Sequence, residues 1–148
     1  MSTIDLSGDI TIAINGAYDR GNPVVLGYTD DQGRPALSAR GSVYVHSSHQ
    51  LAIWARSETS GFVKAIAERP YVSLLFFASN DAGPRMLLSI QGKAHVDSSL
   101  NDEVYAAILP GEREHDPDQK GVAVIVEIGT LTGFSPELGP INQSRQAV

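Results

Sequence analysis

Two arginines and a run of hydroxyl residues lie close together in the first half of the chain. Arg40 lies within one apolar-rich segment, and Arg56 ends the next. Ser57, Thr59 and Ser60 follow directly and precede a segment with a helical pattern. The planar guanidinium of arginine donates paired hydrogen bonds to phosphate oxygens, and the free backbone N–H groups of a helix N-terminus attract anions. These residue types in this order favour a binding site for a phosphate group.

Strand alternation predicts which side chains accompany the two arginines. Successive side chains of a strand point to opposite faces, and we expect the two strands to pair with their apolar faces toward the core. Arg40, Trp54 and Arg56 then line one outer groove, and Lys64, one turn into the following helix, adds charge to it. The residues assigned to the core are Leu37, Ala39 and Val43 on the first strand and Leu51, Ile53 and Ala55 on the second, with Ser38 and Ser42 on the side of Arg40.

Hydrophobic periodicity divides the rest of the chain into short strands and a few helices. Residues 30–33 and 46–49 predict hairpin turns, and Gly92 indicates a bulge within a strand. Residues 10–18 fit either a short helix, with Ser7 as N-cap, or a strand. The other predictions are strands at 23–29, 35–45, 50–56, 71–78, 86–96, 122–128 and 130–134, helices at 61–68 and 100–109 (N-cap Ser98), a turn at 80–84, a charged loop at 112–121 and a surface tail after 134.

Six or seven strands, mostly connected by hairpins, predict a mainly β fold with short helices. An antiparallel barrel suits this pattern, because closure removes the exposed strand edges. We expect one domain over residues 1–148, with its core at about 23–134.

Composition excludes several classes of function. The formal net charge is −6, and basic residues form no extended run, which argues against a nucleic-acid partner. The chain has no cysteine, no signal-like N-terminus and no apolar run of membrane-spanning length, so we expect a cytoplasmic location. We expect no metal site, since His46 and His49 lack a third ligand.

The order of motifs in the middle of the chain resembles the flavin-binding split barrels related to pyridoxamine 5'-phosphate oxidase. A Gly-Arg-Pro turn at 33–35 precedes the strand that bears Arg40, and an aromatic strand at 51–56 precedes a Ser/Thr-rich turn. A short helix then ends at Glu68-Arg69-Pro70, and residues 89–94 are similar to the family's late strand with its Gly-x-Ala. The resemblance covers residues 23–134.

This resemblance implies a homodimeric split barrel that binds flavin mononucleotide (FMN) at the subunit interface. Each site in this family draws residues from both chains, so the monomer should expose an apolar patch. We therefore expect an FMN-dependent oxidoreductase that acts on a small organic substrate, with no side chain assigned as acid or base. The predicted cofactor-binding residues are Arg40, Ser42, Trp54, Ala55, Arg56, Ser57, Thr59, Ser60, Gly61, Phe62 and Lys64.

The sequence departs from the family pattern at three places. Gly61-Phe62 follows Ser60 where a basic pair usually stands, and Met86-Leu87 replaces a glutamine that faces the flavin. The C-terminal segment that holds pyridoxal phosphate is missing, so we do not expect a vitamin B6 oxidase. Relatives with the same barrel bind the deazaflavin F420, which remains the alternative cofactor.

Two other functions stay open. One is a non-catalytic protein that stores or senses flavin or haem, and the other is an interaction module without a cofactor. Each predicted site residue also has a simpler role, as a solvated arginine, a packed tryptophan or a helix-capping serine or threonine.

Overall fold

Eight antiparallel strands and four short helices make up the described part of the chain. The structure is a computed structural model, and it describes residues 3–78 and 83–146. The strands are β1 Val24–Thr29, β2 Pro35–Arg40, β3 Tyr44–Ser47, β4 Gln50–Ala55, β5 Tyr71–Ala78, β6 Met86–Val96, β7 Val122–Ser135 and β8 Gly139–Ser144. The helices are α1 Asp9–Asn15, α2 Gly61–Glu68, α3 Asn101–Ala107 and α4 Pro110–Arg113, and a 3₁₀ turn at Ser98–Leu100 precedes α3.

The strands form one sheet in the order β2-β1-β5-β6-β7-β4-β3, and β8 pairs with β7 as well. The long strand β7 has partners along both edges. Its beginning pairs with β4 and its end pairs with β8 on one edge, and β6 runs along the other edge. The predicted mainly β split barrel is confirmed. The hydrogen-bonded ladder is open between β2 and β3, however, and it contains eight strands rather than six or seven.

Apolar side chains fill both sides of the sheet near β4. The larger core cluster includes Leu51, Ile53 and Phe62 and occupies the barrel interior. A second cluster, in which Trp54 packs with Val104, lies between β4, β7 and α3. The predicted alternation along β4 is therefore correct, but its outer side near Trp54 is buried beneath α3 rather than open as a groove.

The predicted faces of β2 are reversed. Leu37 is 76% exposed and Ala39 is exposed too, whereas Ser38 and Arg40 are half-buried on the inner side. The predicted strand at 35–45 also divides at residues 41–43, so β2 pairs with β1 and only β3 pairs with β4. An edge strand can turn its polar face inward here because Phe62 of α2 packs against the Arg40 guanidinium.

Other boundaries differ from the sequence predictions. Residues 10–18 contain helix α1, whose N-cap is Gly8 rather than Ser7, and the 3₁₀ turn before α3 is capped by Asp97 rather than Ser98. The predicted charged loop begins within α4, the two predicted strands between 122 and 134 are one continuous strand, and the tail pairs as β8. Residues 80–82 of the predicted turn lie outside the described residues. The helices of the described segments are too short to cross a membrane.

The predicted irregularity at Gly92 is confirmed, because the β6–β7 register shifts between Gln91 and Gly92. A Cβ at Gly92 would collide with the backbone carbonyl of Glu127 on β7. The bulge therefore brings two backbones closer than any side chain allows.

We expect Gly92→Ala to lower the free energy of unfolding by about 1–3 kcal/mol, because the clash is with backbone that has little room to move. Gly111→Ala is the matched control, since a Cβ there meets open space. Urea unfolding measures both variants, and equal stability of Gly92→Ala and the wild type would contradict the close approach.

Candidate functional site

A cavity of about 320 Å³ lies where the end of β2, the end of β4 and the start of α2 meet. The volume falls within the range of roughly 300–1,000 Å³ common for small-molecule sites. Six of the predicted cofactor residues line it. The complete lining is Ser38, Ala39, Arg40, Gly41, Ser42, Trp54, Arg56, Ser57, Ser60 and Glu112.

Arg40 is the half-buried cation of this pocket. Its guanidinium carbon lies 4.9 Å from the centre of the Phe62 ring, and its Nε donates to Ser38 Oγ at 2.9 Å. Burial lowers the pKa of Arg40 from its usual value, and the nearby Arg56 acts in the same direction. Arginine nevertheless stays protonated at neutral pH. None of the ion pairs within residues 3–78 and 83–146 includes Arg40, so its charge is available to a bound anion.

Ser42 fixes the chain segment that follows Arg40. Its buried hydroxyl accepts a hydrogen bond from the backbone N–H of Trp54 and donates to the carbonyl of the same residue. The hydroxyl thus makes the two hydrogen bonds with the Trp54 backbone that a residue of a neighbouring strand would otherwise make. Ser42 lines the pocket, but its polar group is already engaged in holding Arg40 beside β4.

Trp54 connects the pocket to the loop after α4. Its indole Nε1 donates to Asp116 Oδ2 at 2.9 Å, and its ring meets Tyr105 of α3 edge-on at 5.2 Å. Asp116 also accepts from the backbone N–H groups of Lys120 and Gly121. Burial alone would raise the pKa of the Asp116 carboxyl, but these hydrogen bonds outweigh it and hold the pKa below its usual value.

Arg56 and Glu112 form an ion pair in the lining of the pocket. Arg56 Nη2 donates to Glu112 Oε2 at 3.2 Å, where the arginine side chain is 52% exposed and the glutamate side chain 7%. A Cβ at Gly41 would collide with the Glu112 carboxylate. The absence of a side chain at Gly41 therefore leaves room for the buried Glu112 carboxylate against the chain segment between the two arginines.

The start of α2 supplies hydroxyl groups to the pocket. Ser60 is the N-cap of α2, and its Oγ accepts from the backbone N–H of Val63. Ser57 Oγ is hydrogen-bonded to the Thr59 hydroxyl and accepts from the Thr59 backbone N–H. Ser57 and Ser60 line the cavity, so the predicted meeting of Arg40 with the turn ahead of α2 is present in the structure.

Five predicted residues lie outside this lining. Gly61 and Lys64 face a neighbouring groove together with Asp30, Asp31 and Glu68. The remaining three do not reach the cavity surface: Ala55 and Phe62 are buried in the core, and Thr59 is exposed beside Ser57. Phe62 still contributes indirectly, as the support of the Arg40 guanidinium.

Sequence reasoning missed Glu112 and Ser38. Glu112 belongs to a segment rich in charged residues, where one acid that turns inward has no distinguishing signal. Strand alternation puts Ser38 on the face of Arg40 and assigns it no binding role. The pocket combines two guanidinium groups, one carboxylate and several hydroxyls, and its two cations suit an anion. No group of three metal-ligating side chains occurs among the described residues.

Comparisons with known proteins concern the fold. No family model and no curated protein matches the sequence. A variant of HupZ from Group A Streptococcus superposes with a TM-score of 0.66 at 9% identity, over 87% of this chain and 99% of that one. A Clostridium acetobutylicum protein related to general stress protein 26, of the pyridoxinephosphate oxidase family, gives 0.62 at 15% identity over 90% and 93%. An F420 reductase gives 0.56 at 12% identity over 74% and 88%.

These similarities confirm the resemblance at the level of the fold. The chain has the split β-barrel fold of these pyridoxamine 5'-phosphate oxidase-like structures.

The lowered pKa of Asp116 predicts how the hydrogen bond between Trp54 and Asp116 affects stability as the pH changes. The unfolded chain binds the proton at the ordinary pKa near 3.8, and the folded chain binds it only at lower pH. The stabilisation from the Asp116 carboxylate is therefore complete above the ordinary pKa and is lost as the pH falls through the folded value.

We expect Asp116→Asn to be less stable than the wild type above about pH 5, with the difference shrinking toward about pH 3. Urea unfolding at several pH values, followed by Trp54 fluorescence, measures this difference. A difference that is constant over the whole range would contradict the assigned pKa direction.

Proposed function

We propose that the pocket binds the phosphate of a flavin-type cofactor, FMN or the deazaflavin F420, and that the protein is an oxidoreductase acting on a small organic molecule. The observation that carries the proposal is the meeting of Arg40, Arg56, Ser57 and Ser60 in one cavity of a split barrel. Fold alone does not assign a function, so the proposal depends on the chemistry of this cavity.

The residues present fit a phosphate group. The Arg40 guanidinium is half-buried, is supported by an aromatic ring and makes no ion pair among the described residues. Arg56 is more exposed and lines the same cavity, so both guanidinium groups are available to one phosphate. Hydrogen bonds from charged donors to phosphate are stronger than those between neutral groups.

The chain contributes binding and orientation rather than acid–base chemistry. When bound, a flavin-type ring supplies hydride or electron transfer. Arg40, Arg56, Ser57 and Ser60 would hold the phosphate end, and the buried Trp54 forms a rigid wall because Ser42 and Asp116 fix its backbone and its indole.

We also propose a homodimer that forms through the outer face of the sheet. Phe77, Leu87 and Phe134 are direct cross-strand neighbours on β5, β6 and β7, and they are 60%, 43% and 53% exposed. Leu75 and Leu37 extend the apolar surface toward β2. An antiparallel sheet that faced water would carry polar residues at these alternate positions, and a second copy of the chain would bury them.

We expect Arg40→Ala to weaken the binding of FMN or F420 by about tenfold or more, because a hydrogen bond to a charged group contributes roughly 1.5–3 kcal/mol. Arg34→Ala is the control, since that side chain is 68% exposed in the β1–β2 turn. Titration calorimetry with both cofactors measures the affinities. Equal affinities of Arg40→Ala and the wild type would show that the phosphate is bound elsewhere.

We expect Leu87→Lys to convert the dimer to a monomer, because a buried unpaired ammonium is strongly unfavourable. Ala106→Lys, on the exposed side of α3, should leave the dimer intact. Sedimentation velocity distinguishes the two states, and a wild-type chain that sediments as a monomer would refute the proposed interface.

A further inference from the structure

Glu112 places a negative charge inside the proposed phosphate pocket. The residue is 6% exposed and lies on α4, where its Oε2 accepts from Arg56. Its carboxylate also packs against Gly41, next to Arg40 in the chain. Glu112 therefore lies within the cavity lining between the two cations that would bind the anion.

The formal charge of the lining follows from its residues. Arg40 and Arg56 are positive, Glu112 is negative, and the other seven lining residues are neutral, which leaves one positive charge. Lys64 does not change this sum, because it faces the neighbouring groove with Asp30, Asp31 and Glu68. A pocket with one net positive charge matches an anion with one negative charge.

Phosphate esters differ in the negative charge that they carry. A phosphate monoester carries a charge of about −1.5 to −2 at neutral pH, whereas a phosphodiester carries a single negative charge. A monoester in this pocket would leave part of its charge uncompensated beside a buried carboxylate, and like charges in a poorly solvated site repel strongly.

We infer that Glu112 is a specificity-determining residue, which makes the pocket select a phosphodiester over a phosphate monoester. The inference rests on the proposed function and deepens it, since F420 carries its phosphate as a diester and FMN carries a monoester. The Arg56–Glu112 pair then has a role besides joining α4 to β4: it keeps one of the two guanidinium groups partly neutralised.

The test uses three ligands with the same ring: riboflavin without phosphate, FMN with a monoester, and riboflavin 4′,5′-cyclic phosphate with a diester. Titration calorimetry gives their dissociation constants with the wild type, Glu112→Gln and Glu114→Gln. Glutamine keeps the size of the side chain and still accepts a hydrogen bond from Arg56. Glu114 is exposed two residues further on and serves as the control for the same change of charge.

We expect the wild type to bind the cyclic diester more tightly than FMN. In Glu112→Gln the affinity for FMN should rise by about tenfold, because a unit charge several ångströms away no longer repels the dianion. The gain for the diester should be smaller, riboflavin should bind as before, and Glu114→Gln should behave as the wild type does. A purely structural role of Glu112 would instead weaken the binding of all three ligands or leave it unchanged.

Two results would overturn the inference while the proposed function stands: tighter binding of FMN than of the diester by the wild type, or an unchanged FMN affinity in Glu112→Gln. The comparison of FMN with the cyclic diester in the wild type tests the inference even if Glu112→Gln fails to fold. If the wild type binds neither F420 nor any of the three ligands, the proposed function itself fails, and the selectivity fails with it.

Discussion

Trp54 joins three segments of the chain that are far apart in sequence, and the candidate site depends on this junction. Its backbone pairs with the Ser42 hydroxyl, its indole donates to Asp116, and its ring packs against Tyr105. These contacts hold the segment after β2, the strand β4 and the α3–α4 region in one arrangement. An indole N–H that lies buried requires such a partner, so the position of the α4 region is linked directly to that of β4.

The same junction determines the electrostatics of the pocket. Because Ser42 is held to β4, Arg40 stands beside Phe62 on the inner side of an edge strand, where it is only partly solvated. Because Asp116 is held by Trp54, α4 lies where Glu112 reaches Arg56. Two cations and one anion are thus placed around a small cavity by hydrogen bonds to the Ser42 hydroxyl and the Asp116 carboxylate and by aromatic packing. Such preorganised charges favour an anionic ligand without a large rearrangement of the chain.

The sequence predicted the local structure well where one physical signal dominated. Helix α2 was predicted at its observed bounds, because Ser60 is a good N-cap and Pro70 prevents continuation. The bulge at Gly92 and the alternation along β4 were also correct. The fold could be predicted because the order of turns, strands and helices resembles that of a known barrel.

Tertiary contacts decided the features that the sequence did not show. The reversed face of β2 depends on Phe62, a residue of another element, and it leaves Leu37 on the exposed outer side of the sheet. Strand β8 consists largely of polar and turn-forming residues, and it pairs because β7 offers a free edge. The inward turn of Glu112 requires Gly41 and Arg56 together, and neither is near it in sequence.

A crystal structure of the protein grown with F420 would test the central claim most directly. The claim predicts electron density for a phosphate group between the guanidinium groups of Arg40 and Arg56, within hydrogen-bond distance of Ser57 or Ser60. Density for the cofactor on another surface, with none of these four side chains in contact with it, would contradict it.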